Sequence, residues 1–426
     1  MQTIKETVDR YLLGNSEKWI ALGKQLLVMP ELGFHEYHTS AFVKEWFERI
    51  GAKDVVNEAI TAQRIRLHGG KNIAHVAMLG EMDAIYCPSH PYANKETGLA
   101  HACGHNVQIT ALLAVAEALS ATGVMNELAG DVSFMAVPSE EPLPASVIAS
   151  LIAEGKTCSD SGKKELLRLG AFDDVDIALG THAYVNDETH KEDILVNTSC
   201  NGLLVESFVF HGKSSHSTVA PEKGVNALNA AVLTINNIQA LREALDPAEY
   251  VRISYNLTEG GESVGSIPER AKLEVVIATK TMHYLTDLQE KIRIAAECGA
   301  RVIGCTVAAR TEVSLLPYEV DQTLLETIQE TSLDFIKEKA AAREHNYFSN
   351  DLGDVSQTMP TAQVVFGGFT GAFHTRQFAS TDDRRAYVQP ARCMAAIIID
   401  LLMNDAEKAL SVKEHFRNKR NVQAMK

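Results

Sequence analysis

No apolar run in this sequence approaches the ~18 residues that a membrane-spanning helix needs, so none is expected. Positive charge is also scarce. Lys and Arg number 40 against 55 Asp and Glu, a formal net charge of −15. Nucleic-acid and membrane-surface binding both rest on basic patches, and this deficit argues against them. Cysteine is sparse and odd in number, 7 in 426 residues, at positions 87, 103, 158, 200, 298, 305 and 393. Such scatter builds no disulfide framework and fits a reducing cytoplasm. The opening stretch MQTIKETVDRYLLGNSEKW reads as a polar amphipathic helix, without the basic and apolar regions of a signal peptide. There is no internal repeat and no low-complexity tract.

What is present is a globular composition, 46% hydrophobic and 22% charged, at a length that predicts two domains. Near-continuous apolar strands that run into polar tips alternate with helices through the first two-fifths: NIAHVAMLGEMDAI, GDVSFMAVPSEEP and VDIALGTHAY. This pattern predicts an α/β domain with a mostly parallel sheet covered by helices. The middle changes to a βαββαβ order, that of a small ferredoxin-like domain. The expected division is a discontinuous first domain, 1–197 and 315–426, with the second, 198–314, inserted into it. A long helix is expected over VDQTLLETIQETSLDFIKEKA, a strand over TAQVVFGG, and a frayed basic tail.

Ligands in such sheets sit off the carboxyl ends of the strands, and that is where the polar tips fall. They carry Glu81 and Asp83, Glu140 and Glu141, and His182; HACGHN adds Cys103 and His105, and GAFHTRQF adds His374. One such histidine alone is more often a core residue than a ligand; the joint placement changes the reading. If Cys103 bridges two metals, with Glu141 and His374 on one and His105 and His182 on the other, each has three protein ligands and an open position. Thiolate, imidazole and carboxylate together suit zinc, with manganese, cobalt or nickel also compatible. Adjacent glutamates at a strand end point in opposite directions. Glu141 can therefore ligate while Glu140 serves as general base. Asp83 fits a group that holds a ligand imidazole in place. Asn106 reads as the N-cap of a helix beginning at Val107. His216, in the turn HGKSSHSTVAPEKGVNAL, could offer a polar group to a substrate oxyanion.

These motifs, with MPELGFHE (29–36), GGESVGSIP and GDVSQTMPT (353–361), give a chain that resembles the aminoacylase/carboxypeptidase family of dinuclear metallohydrolases. It is most similar to the amidohydrolase branch of hippurate, auxin-conjugate and p-aminobenzoyl-glutamate hydrolases. The resemblance implies a catalytic domain holding two divalent ions, with zinc or manganese first, and an inserted domain that acts as lid and dimerises the protein. It supports the five ligands and Glu140 as base, and it assigns His216 to the partner subunit's active site. The sequence departs from the branch at Asn106, where Asp is common, and at Gln108, where His is common. Relatives also hold a substrate carboxylate with an Asn and an Arg; Gly265 and Ala278 stand at those positions. Losing a bidentate arginine weakens carboxylate binding by a few kcal/mol, so either the substrate lacks a free carboxylate there or another residue, such as Arg376, binds it.

The expectation is therefore a cytoplasmic, homodimeric metallo-amidohydrolase of N-acyl or N-aroyl amino acids or amino-acid conjugates. A dipeptidase acting on small, for instance β-alanyl, dipeptides is the alternative from the same chemistry. A catalytically silent homologue that binds a small conjugate is the alternative from another class.

Overall fold

A computed structural model describes residues 2–186, 192–336 and 340–424. It divides into two compact units, Met1–Thr198 with Glu319–Glu344 and Asp354–Lys426, and Ser199–Tyr318 with His345–Gly353.

The first unit is built on a mixed sheet whose centre is four parallel strands. They are β1 (Ala74–Glu81), β2 (Gly130–Val137), β3 (Ile177–Val185) and β4 (Thr361–Thr370), in spatial order β2-β1-β3-β4. Every residue of β1 and β2 is buried, which is why their sequences read as near-continuous apolar runs, interrupted only by His75 in β1 and Asp131 and Ser133 in β2 before the polar tips, rather than as alternating ones. Antiparallel strands flank the set: Ala62–Leu67 beside β2, and Ile194–Asn197 beside β4. Helix α1 (His105–Thr122) connects β1 to β2. It packs on β1 and against the helices Ser16–Leu27 and Gln389–Leu402. Residues 105–119 of α1 are all buried, so it has almost no polar face. The chain leaves β1 toward β2 and then crosses back to β3 on the other side. That reversal opens a crevice at the carboxyl ends of β1 and β3.

The second unit has the expected βαββαβ order. Its antiparallel sheet runs Arg252–Glu259, Arg270–Thr279, Gly202–His211, Thr306–Leu315. The helices Ala227–Leu241 and Met282–Ile303 pack on the sheet and on each other. Ala271, Leu273, Val275 and Ile277 alternate into the core with no exposed surface, the period of a strand buried on one face.

Three expectations need correction. Residues 345–353 pack with the second unit, not the first. His345 bridges the Ser199 hydroxyl and the Asn201 side chain, both at 2.9 Å, and the Arg252 guanidinium lies 3.6 Å from the centre of the Tyr347 ring. Polar and aromatic contacts of this kind have no periodicity to read. The helix expected across 320–340 spans Gln322–Ser332, and residues 337–339 lie outside the described residues. The basic tail is helical over Glu407–Ala424. It docks through His415 on Asp321 at 2.7 Å and Lys419 on Glu319 at 2.8 Å, so over the described residues it is a docked helix rather than a frayed end.

Inside the second unit, buried Glu206 accepts hydrogen bonds from Arg293 at 2.8 and 3.1 Å and from Gln289 at 2.7 Å. Burial alone would raise its pKa, but Arg293, Thr311 and Gln289 hold it below the usual carboxylate range. Its stabilisation is therefore complete above the ordinary carboxyl pKa and is lost as pH falls through the lower, folded value. Glu206→Gln should cost about 1–3 kcal/mol at pH 7. Urea denaturation of both proteins at descending pH should show that difference shrinking.

Candidate metal centre

Gly104 lies between Cys103 and His105 with φ +91° and forms the N-cap of α1. A Cβ there would come 2.7 Å from the Ala183 Cβ of β3, so glycine is needed for both backbone angle and space. The turn it permits makes His105 the first residue of α1 and leaves Cys103 just before the helix. The expected cap at Asn106 is thereby corrected. Asn106 is inside the helix, buried, and its side-chain N–H donates to the Gly23 carbonyl at 3.1 Å and the Tyr387 hydroxyl at 3.4 Å. A carboxylate could not donate to that carbonyl, which accounts for the amide.

Two triads of donor atoms meet at one thiol. Cys103, His105 and His182 form one, and Cys103, Glu141 and His374 the other, each within 4.8 Å. The Cys103 Sγ is 3.6 Å from His182 Nε2 and 3.4 Å from His374 Nε2, and His374 Nε2 is 3.1 Å from Glu141 Oε1. His374 comes from the turn after β4, with φ +61° and its N–H on the Ala102 carbonyl at 2.9 Å. A non-glycine residue in that region is strained, and strain of this kind concentrates at functional sites.

Asp83, just beyond β1, holds the arrangement from beneath. Its Oδ2 accepts the N–H groups of Glu140 at 2.9 Å and Glu141 at 2.8 Å. Its Oδ1 and backbone carbonyl lie 3.1 and 2.8 Å from His105 Nδ1. Nδ1–H thus donates to Asp83, which leaves Nε2 to face the triad. His182 likewise donates from Nδ1 to the Ala183 carbonyl at 2.9 Å. Glu141 turns toward His374, while Glu140 Oε2 lies 3.7 Å from His105 Nε2, the divergence expected of neighbours at a strand end.

The donor set fits divalent cations. His105 Nε2 and Glu141 Oε1 are fully buried and lack a well-formed hydrogen bond; each has only an ion-pair contact at 3.1 Å, to Glu81 and His374 respectively, which leaves both free to turn to a cation. Burial and the Glu141 carboxylate push the Cys103 thiol well above its usual range, so the thiolate forms when positive charge enters beside it.

Residues outside the sequence expectation complete the surroundings. Buried Lys163 pairs with Glu81 Oε1 at 2.6 Å. Gln108, at the position where the branch has His, donates to Glu81 Oε2 at 2.6 Å and accepts the Glu81 N–H at 3.2 Å. Glu81 lies 3.1 Å from His105 Nε2. Burial works against its charge, but Lys163 and the histidines bring it down to about 2. A lysine turned into the core leaves no pattern in sequence, so Lys163 could not have been found there. Arg376 is exposed two residues past His374. His216 and Gly265 belong to the second unit, where their loops pair: the Ser217 N–H donates to the Gly265 carbonyl at 2.9 Å.

Residues 77–400 match the sequence pattern of peptidase family M20/M25/M40. The chain belongs to that family. It is a metal-dependent amidohydrolase, in agreement with the resemblance drawn from its motifs. Among M20 relatives, a human Xaa-Arg dipeptidase is 26% identical across 95% of this chain and 90% of its own. One subunit of the p-aminobenzoyl-glutamate hydrolase of Escherichia coli (strain K12) is 24% identical across 84% of this chain and 73% of its own. A dinuclear metal-binding M20 peptidase of Bacillus subtilis shares the fold with a TM-score of 0.71 at 20% identity, covering 91% of this chain and 99% of that one. The two triads meeting at Cys103 suit the two divalent cations of such M20 enzymes.

Replacing Gly104 with Ala should cost about 1–3 kcal/mol from the backbone angle alone, with the Ala183 clash added. Urea denaturation beside elemental analysis should show lower stability together with metal loss.

Proposed function

We propose that this M20 enzyme hydrolyses the amide bond of an N-acyl or N-aroyl amino acid or amino-acid conjugate, using zinc or manganese held by Cys103, His105, Glu141, His182 and His374. Cobalt and nickel suit the same donors. One observation carries the reading: two three-donor sets share a single thiol, with a second glutamate, Glu140, directed beside them. When bound, the cation pair supplies the Lewis acidity that polarises a scissile carbonyl and acidifies water.

The protein's own groups do the rest. Glu140 takes the proton from water and passes it to the leaving nitrogen. Asp83 keeps His105 in one tautomer and both glutamates in place. His216 of the partner subunit donates to the developing oxyanion. Its Nδ1 accepts the backbone N–H groups of Thr218 at 3.3 Å and Val219 at 3.2 Å, which leaves Nε2–H as the donor. This reading includes a cytoplasmic homodimer built through the second unit. A substrate carboxylate would fall to Arg376, since Gly265 and Ala278 offer no cation.

A dipeptidase is the second reading. It is favoured by the relative called an Xaa-Arg dipeptidase, which aligns with nearly the whole chain. Assaying N-acetyl and N-benzoyl amino acids, p-aminobenzoyl-glutamate, and β-alanyl and Xaa-Arg dipeptides separates the two. Turnover confined to free-amine dipeptides would overturn the first.

Elemental analysis should find two metals per wild-type chain, with at least half lost in Cys103→Ala. A wild type that stays empty after reconstitution with zinc or manganese would sink the mechanism. Glu140→Gln should keep both metals while kcat falls by about 10²–10⁴-fold.

A further inference from the structure

The motif MPELGFHE (29–36) has no part in the chemistry above, yet it lies directly against the turn that carries Glu140 and Glu141. Ser139, the residue before them, is buried and has φ +49°, a conformation that non-glycine residues adopt only when their surroundings impose it. Three successive backbone N–H groups of this turn end on two buried carboxyl groups. Those of Glu140 and Glu141 go to Asp83. That of Ser139 goes to Oε1 of Glu36 at 2.8 Å.

Glu36 has no exposed surface. Its Oε2 accepts the Thr61 hydroxyl at 2.6 Å, and the Thr61 carbonyl in turn accepts the Ser40 hydroxyl at 2.6 Å. The carboxyl is thus fixed at both ends. The rest of the motif follows the same contour. A Cβ on Gly33 would stand 2.7 Å from the Ser139 Oγ and 2.9 Å from its Cα, so only glycine lets this loop reach the turn. The Glu31 carbonyl accepts the Ala84 N–H at 2.8 Å, one residue past Asp83.

We propose that Glu36 is a positioning residue whose hold on the Ser139 N–H sets the strained turn, and with it the directions of Glu140 and Glu141. The inference rests on the proposed roles of those two glutamates. It adds that the 29–36 loop, not the end of β2 alone, aims them.

The test compares Glu36→Ala with Glu36→Gln in the full-length enzyme loaded with cobalt(II). The readouts are kcat and KM on an amide that the wild type cleaves, and the visible absorption of the bound cobalt. Without the acceptor, Glu36→Ala should lower kcat by at least about 30-fold, the scale of a misaimed catalytic group. KM should stay within about three-fold, and the cobalt band should shift. Glu36→Gln keeps an acceptor of the same shape and should return kcat to within about five-fold of wild type. A folded Glu36→Ala enzyme with unchanged kcat and spectrum overturns the proposal, and so does a glutamine variant as impaired as the alanine one.

Should Glu36→Ala fail to fold, Thr61→Val loosens the other end of the same carboxyl. It should lower kcat by about three- to ten-fold and shift the band, and wild-type values of both would overturn the proposal. A wild type inactive on every amide defeats the functional reading instead, and the cobalt spectra of the variants still decide the role of Glu36.

Discussion

His105 and the two glutamates of the candidate centre depend on where one carboxylate points. Asp83 has no exposed surface, and its two oxygens serve two structures at once: the imidazole at the start of α1 and the turn after β2. Neither attachment is a strong bond alone. Together they make the position of His105 and the direction of both glutamates a single geometric fact. A shift in one would be transmitted to the other through a group only a few bonds across. The parallel strands bring these pieces near each other, and the carboxylate sets how they face.

The charge inside the crevice is balanced in the same compact way. Glu81, Asp83, Glu140, Glu141 and the Cys103 thiol crowd this space, and Lys163 is ion-paired with Glu81. Burial beside Asp83 pushes Glu36 up to about 8. Concentrated anionic charge of this kind is costly to bury until the cations enter.

Much of this was legible before the fold was seen, for definable reasons. Buried parallel strands must be apolar along their whole length, so β1, β2 and β3 stand out as runs that stop where polar residues begin. The candidate donors were read from the polar residues at those stops, and the fold brings their donor atoms together. What escaped notice follows from other physics. The start of α1 was misplaced by two residues because Gly104 turns the chain through a left-handed angle that no propensity marks. Lys163 and Gln108 act through their pairing with Glu81 inside the core, and residues 345–353 join the second unit through contacts without a period. In each case the information sits in one three-dimensional contact and not in a recurring pattern.

The turn bearing His374 is anchored to Ala102, 272 residues earlier by their positions in the chain, with the whole second unit encoded between them. The second triad therefore cannot close until residue 374 has joined the fold. Contacts that distant in sequence close slowly. Completion of the second triad thus waits on a contact between segments far apart in sequence, while the donors of the first lie closer together along the chain.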